Sequence, residues 1–119
     1  MKIYGKIFLL VPLIMTACHS DKKDIYPIQK YTDISYSDMV NELGPPVDKT
    51  AYKIKNASTK SWNHDELFSR YPKCPENKDI QIMEIVWDAG EYSLFACFHM
   101  VDDTNRCLVA KKIRKGVKF

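Results

Sequence analysis

Three β-prone runs close the sequence, and the turns between them leave few ways for those runs to associate. Ile80 to Trp87, Tyr92 to Val101 and Arg106 to Ile113 are rich in aliphatic, β-branched and aromatic residues, which suit a pleated, half-buried surface. Asp88-Ala89-Gly90-Glu91 and Asp102-Asp103-Thr104-Asn105 separate them. Connections this short join antiparallel neighbours, because parallel strands need a crossover of about a dozen residues. The spacing therefore predicts a three-stranded antiparallel meander. A two-residue loop at Ala89-Gly90 sets Trp87 opposite Tyr92 and Ile85 opposite Leu94. Alternation then places Met83, Ile85, Trp87, Tyr92, Leu94, Ala96, Phe98 and Met100 on one face, and the second turn adds Cys107 and Val109. The other face carries Ile82, Val86, Phe95, Cys97, His99 and Val101. An antiparallel sheet ordinarily solvates one face. A second face this apolar predicts either a docking surface or cover by the N-terminal segment and the loop around Cys74.

The first apolar face needs a lid, and the preceding sequence offers one. Ser35 is a helix N-cap with Asp38 as its capping-box partner, and Ile34 and Met39 stand at the staple positions. Met39, Val40 and Leu43 recur at helical spacing. Gly44 suits the left-handed position that ends a helix, and Pro45-Pro46 forbid continuation. The expected helix is about eight residues long, the minimum for two turns. Thr50 to Lys55 alternates like a strand, and Asn56 to Lys60 is a polar loop. Ser61 to Tyr71 reads as a second short helix, with Asn63 and Glu66 as its capping box and Pro72 as its stop. Residues 72–79 form a loop that holds Cys74. The expected fold is α+β: one or two short helices packed on a three-stranded antiparallel meander sheet, forming a single small domain over residues 31–119.

Ahead of this domain, Lys2 and Lys6 precede an apolar run from Ile7 to Met15. Such a run makes about 14 Å of helix at about 1.5 Å per residue, too short for a bilayer core of about 30 Å but right for a signal-peptide h-region. It ends in Met15-Thr16-Ala17-Cys18, which resembles the cleavage box of bacterial lipoprotein signal peptides. That resemblance implies removal of residues 1–17, diacylglycerol on the Cys18 sulfur, and acylation of the new N-terminus. Residues 18–30, polar and without period, would then be a lipidated flexible tether. His19, not Asp, follows Cys18, which by the same resemblance favours the outer membrane, facing the periplasm.

Charge narrows the partners. The chain has 18 Lys and Arg against 15 Asp and Glu, and losing Lys2 and Lys6 leaves 16 against 15. A near-neutral domain argues against nucleic acid as a partner. Lys111, Lys112, Arg114, Lys115 and Lys118 crowd the C-terminus. They read either as a solvated end or as a contact for anionic lipid headgroups or an acidic partner.

Besides Cys18, the chain holds Cys74, Cys97 and Cys107. An oxidising periplasm would favour one disulfide and leave one thiol over. The register puts Cys97 and Cys107 on opposite faces, so the order of preference is Cys74–Cys107, then Cys74–Cys97, then none. Cysteine spacings match no zinc pattern, and His64 lacks a second ligand four residues on; no metal or cofactor is expected. Cys97 and His99 share a strand face, but no orienting acid or oxyanion donor accompanies them. Asp102 and Asp103 are explained as turn residues, and four unclustered glycines do not make a phosphate cradle. No catalytic residue is expected, and the chain is read as a non-enzyme.

Tyr36-Ser37-Asp38-Met39-Val40, then Leu43-Gly44-Pro45-Pro46, then the Trp87-to-Phe98 hairpin give the domain a resemblance to the SmpA/OmlA (BamE-like) group of small outer-membrane lipoproteins. The group's plan is a helical pair on a three-stranded antiparallel sheet. The expectation that follows is a non-enzymatic outer-membrane lipoprotein that binds another envelope protein, of open oligomeric state. The alternative is a periplasmic inhibitor or immunity-type lipoprotein that blocks a toxin or hydrolase through an aromatic sheet face. A small enzyme or ligand carrier is a third reading, which would need a closed pocket holding a perturbed acid or thiol.

Overall fold

The computed structural model describes residues 23–118. In chain order the elements are β1 (Ile25–Pro27), α1 (Tyr36–Leu43), β2 (Asp48–Lys53), α2 (His64–Arg70), β3 (Gln81–Ala89), β4 (Tyr92–Val101) and β5 (Thr104–Arg114). The expected meander β3-β4-β5 is present, but it is the centre of a five-stranded antiparallel sheet ordered β1-β5-β4-β3-β2. This corrects the three-stranded expectation. A bare meander would leave two rows of backbone donors and acceptors unpaired at its edges. Ile25–Pro27, inside the segment read as tether, pairs with β5 from Ile25↔Ile113 to Pro27↔Lys111. On the other side β2 pairs with β3 from Asp48↔Val86 to Lys53↔Gln81.

The β3–β4 hairpin turns at Gly90-Glu91, with Gly90 at φ 78°. Trp87 therefore faces Leu94 and Ile85 faces Ala96, two residues away from the expected register. An even shift keeps each side chain on its face, so the face assignment of β3 and β4 stands. In β5 it does not stand throughout. A bulge falls where Cys97 pairs with Val109 and Phe98 with Cys107, leaving Leu108 as the extra residue. The extra residue reverses the alternation, so Cys107 stays on the first face while Val109 moves to the second. The β4–β5 turn uses Asp102 and Asp103 at φ 52° and 64°, a left-handed backbone that aspartate tolerates better than most residues.

α1 forms as its punctuation dictates. The Ser35 hydroxyl accepts the Asp38 amide at 3.1 Å, Gly44 ends the helix at φ 82°, and the Trp87 indole donates to the Gly44 carbonyl at 2.8 Å. Ile34, Tyr36, Met39, Val40 and Leu43 pack on Ile85, Trp87, Leu94, Ala96 and Phe98. α2 behaves differently. Its N-cap Asn63 makes no side-chain cap, because that side chain is 1% exposed and turned into the sheet. Leu67, Phe68 and Tyr71 pack with Ile54 and Trp62 on Ile82, Phe95, Cys97, Val109 and Ile113. The two helices thus cover opposite faces of the sheet, unlike a helical pair on one side. The second apolar face is covered by α2 and the 54–62 connection. Among the described residues no helix is long and apolar enough to cross a membrane.

Met39 is fully buried at the centre of the first face, and truncating it leaves a cavity. Met39→Ala should cost about 2–5 kcal/mol and Ser35→Ala about 1 kcal/mol in urea unfolding. The reverse order would mean that the cap, not the packed face, holds α1 in place.

Candidate functional site

Polar groups gather under α2. Glu84 interrupts the apolar strand β3 and its carboxylate lies half-buried on the second face. It accepts the Tyr52 hydroxyl, the Trp62 indole at 3.0 Å and the Asn63 amide at 3.4 Å. Asn63 also donates to the Tyr52 oxygen at 3.2 Å. Burial, and then the bond to Glu84, raise the pKa of Tyr52. Next to this hub, Lys111 reaches from β5 to Glu66 of α2 at 2.9 Å and to the Trp62 carbonyl at 2.9 Å. The cluster binds β2, β3, β5 and the entry to α2 into one unit. Its donors are spent on one another, while Asn63 Oδ1 and Glu66 Oε1 are buried without a hydrogen-bond partner among the described residues. Removing the Glu84 acceptor orphans the Tyr52 hydroxyl and the Trp62 indole, while Asn63 keeps its bond to Tyr52. Glu84→Ala should lower unfolding stability by about 2–3 kcal/mol, measured by denaturant titration; a loss below about 0.5 kcal/mol would show the hub contributes nothing net.

Cys97 and His99 share the second face, as the alternation predicts, and each is buried there. Burial, aided by the charge of Glu84, pushes the Cys97 thiol up to about 12, and burial does the same to Cys107. Neither is a thiolate at neutral pH. His99 is 3% exposed, and burial first, then the Arg70 charge, lower its pKa. With its proton on Nε2, the neutral ring accepts the Tyr71 hydroxyl at Nδ1, 2.5 Å away. A lowered folded-state pKa makes His99 stabilising above the unfolded value of about 6.5, and that stability is lost as pH falls toward the folded value. Unfolding free energy should therefore decline as pH falls below about 6.5, and His99→Gln should flatten that slope. An unchanged slope in the variant would assign it to other groups.

The three thiols are free: Cys97 and Cys107 buried, Cys74 half-buried. Cys107 belongs to the core under α1 and Cys97 to the core under α2. Cys74 lies in the loop after α2, where a cavity of about 330 Å³ is lined by Ile54, Lys55, Lys73, Cys74, Pro75 and Lys78. Two backbone bonds build it, Ile54 N to Ile80 O at 3.0 Å and Lys55 N to Lys78 O at 3.0 Å. They prolong the β2–β3 ladder past the strand ends and hold two lysines at the rim. Lys55 shares Asp79 with Lys53, each at 3.8 Å. Lys73 and Lys78 have no acidic partner among the described residues. Apolar walls and an unneutralised cationic rim suit an acidic or amphiphilic anionic segment. On the opposite face of the same end, Met100 is 49% exposed.

The basic C-terminal residues are dispersed, since neighbours on a strand point to opposite faces. Lys111 is turned inward on Glu66, with a side chain 16% exposed. Lys112 lies over the Tyr92 ring at 5.6 Å. Arg114 pairs with Asp24 at 3.3 Å and Glu91 at 3.6 Å, and Lys115 with Asp88 at 2.6 Å. Cys18 lies outside the described residues. His64 pairs with Asp65 at 3.1 Å. No group of three His, Cys, Asp or Glu that could hold a metal occurs among the described residues.

Reading the sequence did not single out Glu84, Tyr52, Tyr71 or the lysine-rimmed cavity. Glu84 did carry a signal, being the one charge inside QIMEIVW. The cavity carried none, because its rim comes from two loops brought together only by backbone pairing. No known protein family, curated protein or solved structure matches the chain.

Proposed function

We propose that this protein is a non-enzymatic lipoprotein of the bacterial envelope, anchored through Cys18 in the outer membrane and facing the periplasm, where it binds another envelope protein. The N-terminal basic residues, apolar run and Met15-to-Cys18 box agree in register. The observation that carries the binding reading is the polarity of the domain. Asp24, the hairpin at Gly90 and Arg114 share one end of the sheet. The lysine-rimmed cavity and Met100 lie at the other. A lipid on Cys18 holds the first end near the membrane and leaves the cavity presented outward. The partner is a protein whose acidic segment enters that rim.

The test is a pull-down from detergent-solubilised envelopes with three forms: wild type, Cys18→Ala, and Lys73→Glu combined with Lys78→Glu. Wild type should recover one envelope protein in quantity. Cys18→Ala should leave the membrane fraction. The lysine variant should remain in the membrane fraction and lose the partner. Retention of the partner would remove the cavity from the reading. Recovery of a single secreted toxin or hydrolase would instead favour an inhibitor or immunity role.

A further inference from the structure

We propose that the anchored end of the domain lies directly against anionic phospholipid headgroups, end-on, with Tyr26, Tyr92 and Lys112 on one sheet face, Ile25 and Lys115 on the other, and Lys118 following in the chain. This rests on the lipid-anchored reading of Cys18 and adds an orientation to it.

The chain enters the domain at a fixed point. The Asp24 carbonyl accepts the Arg114 amide at 2.7 Å, and its carboxylate pairs with the Arg114 guanidinium. Tyr92 donates to the Lys23 carbonyl at 3.1 Å, and the Lys23 amide donates to the Tyr26 hydroxyl at 3.0 Å. Only residues 19–22 separate Cys18 from Lys23, and five residue steps span at most about 18 Å when fully extended. A lipid on Cys18 would therefore hold this end close to the headgroups. At such a local concentration, contacts too weak to recruit a free protein suffice to orient a tethered one.

The chemistry of the end fits that neighbour. Ile25 is 37% exposed on the short edge strand. Tyr26 and Tyr92 meet edge to face at 5.6 Å, and tyrosine, apolar in body and polar at the tip, suits the headgroup layer. Lys112 and Lys118 have no acidic partner among the described residues, whereas Arg114 and Lys115 are held by acids. Lys112 and Lys118 therefore carry the attraction to anionic headgroups, which salt screens. Lys111 takes no part, because it is committed to Glu66.

The experiment uses the full lipidated protein, reconstituted in vesicles of phosphatidylcholine alone or with phosphatidylglycerol. A water-soluble amine-acetylating reagent is applied, and each lysine is read by peptide mass spectrometry. The mass of the N-terminal peptide reports independently whether Cys18 carries lipid. Lys112, Lys115 and Lys118 should label about threefold more slowly on the anionic vesicles, and the difference should vanish near 0.5 M salt, where the Debye length falls to about 4 Å. Lys55, Lys73 and Lys78, at the far end, should label alike on both. Exchanging both cations, Lys112→Gln with Lys118→Gln, should abolish the difference at Lys115. Equal labelling on a chain whose Cys18 lipid is confirmed by mass overturns this inference alone. A chain without lipid at Cys18 overturns the anchored reading and this inference together. Protection that needs added envelope protein assigns the surface to an acidic protein and overturns the lipid contact.

Discussion

The burial of β4 on both faces is the constraint on which the rest of the domain depends. Leu94, Ala96 and Phe98 point into one core, and Cys97 and His99 into the other. A strand apolar on both sides cannot be satisfied by a two-layer fold with one wet face. One helix must lie on each side, and two helices of eight and seven residues, α1 and α2, do so. Each is too short to persist alone. Their stability is borrowed from the sheet, through Met39 on one side and Leu67 on the other, both fully buried.

The two sides are held by different means. Under α1 the contacts are apolar, closed by a cap at each end of the helix and by the Trp87 indole on the Gly44 carbonyl. Under α2 a polar hub around Glu84 does part of the locating. Hydrogen bonds are directional where apolar contacts are not, so the hub fixes where the 54–62 connection crosses the sheet. The cavity is set separately, by the backbone bonds from Ile54 to Ile80 and from Lys55 to Lys78 that continue the β2–β3 ladder.

The two ends of the sheet have different characters for a topological reason. An antiparallel arrangement with an odd number of strands in the β3–β5 meander sends the C-terminus to the end where the β3–β4 hairpin turns. Pairing of β1 with the last residues of β5 returns the N-terminus to the same place. Both termini and their cations, with the Tyr26–Tyr92 pair, therefore share one end, and the loops around Cys74 share the other. On the proposed reading, membrane contact and partner contact occupy opposite ends of the domain and do not compete.

Local grammar was legible in the sequence: the cap at Ser35, the stop at Gly44, the three strands of the meander and their turns, and the opposed faces of Cys97 and Cys107. These depend on neighbours within a few residues, where steric and hydrogen-bonding preferences act directly. Of the edge strands, β2 was legible as the alternating run from Thr50 to Lys55, though its pairing with β3 was not, whereas Ile25–Pro27 is too short to carry a period. The side reached by Val109 was lost to one extra residue at Leu108. Asn63 looked like a cap and became a buried donor, since Glu84 lies 21 residues away in the chain and beside it in space. The sequence by itself determined the two helices, β2 and the three meander strands, and proposed the Cys18 anchor. Only the tertiary structure decided the sheet's width, the placement of the helices on opposite faces and the cavity rim, because each is set by backbone pairing between segments distant in the chain.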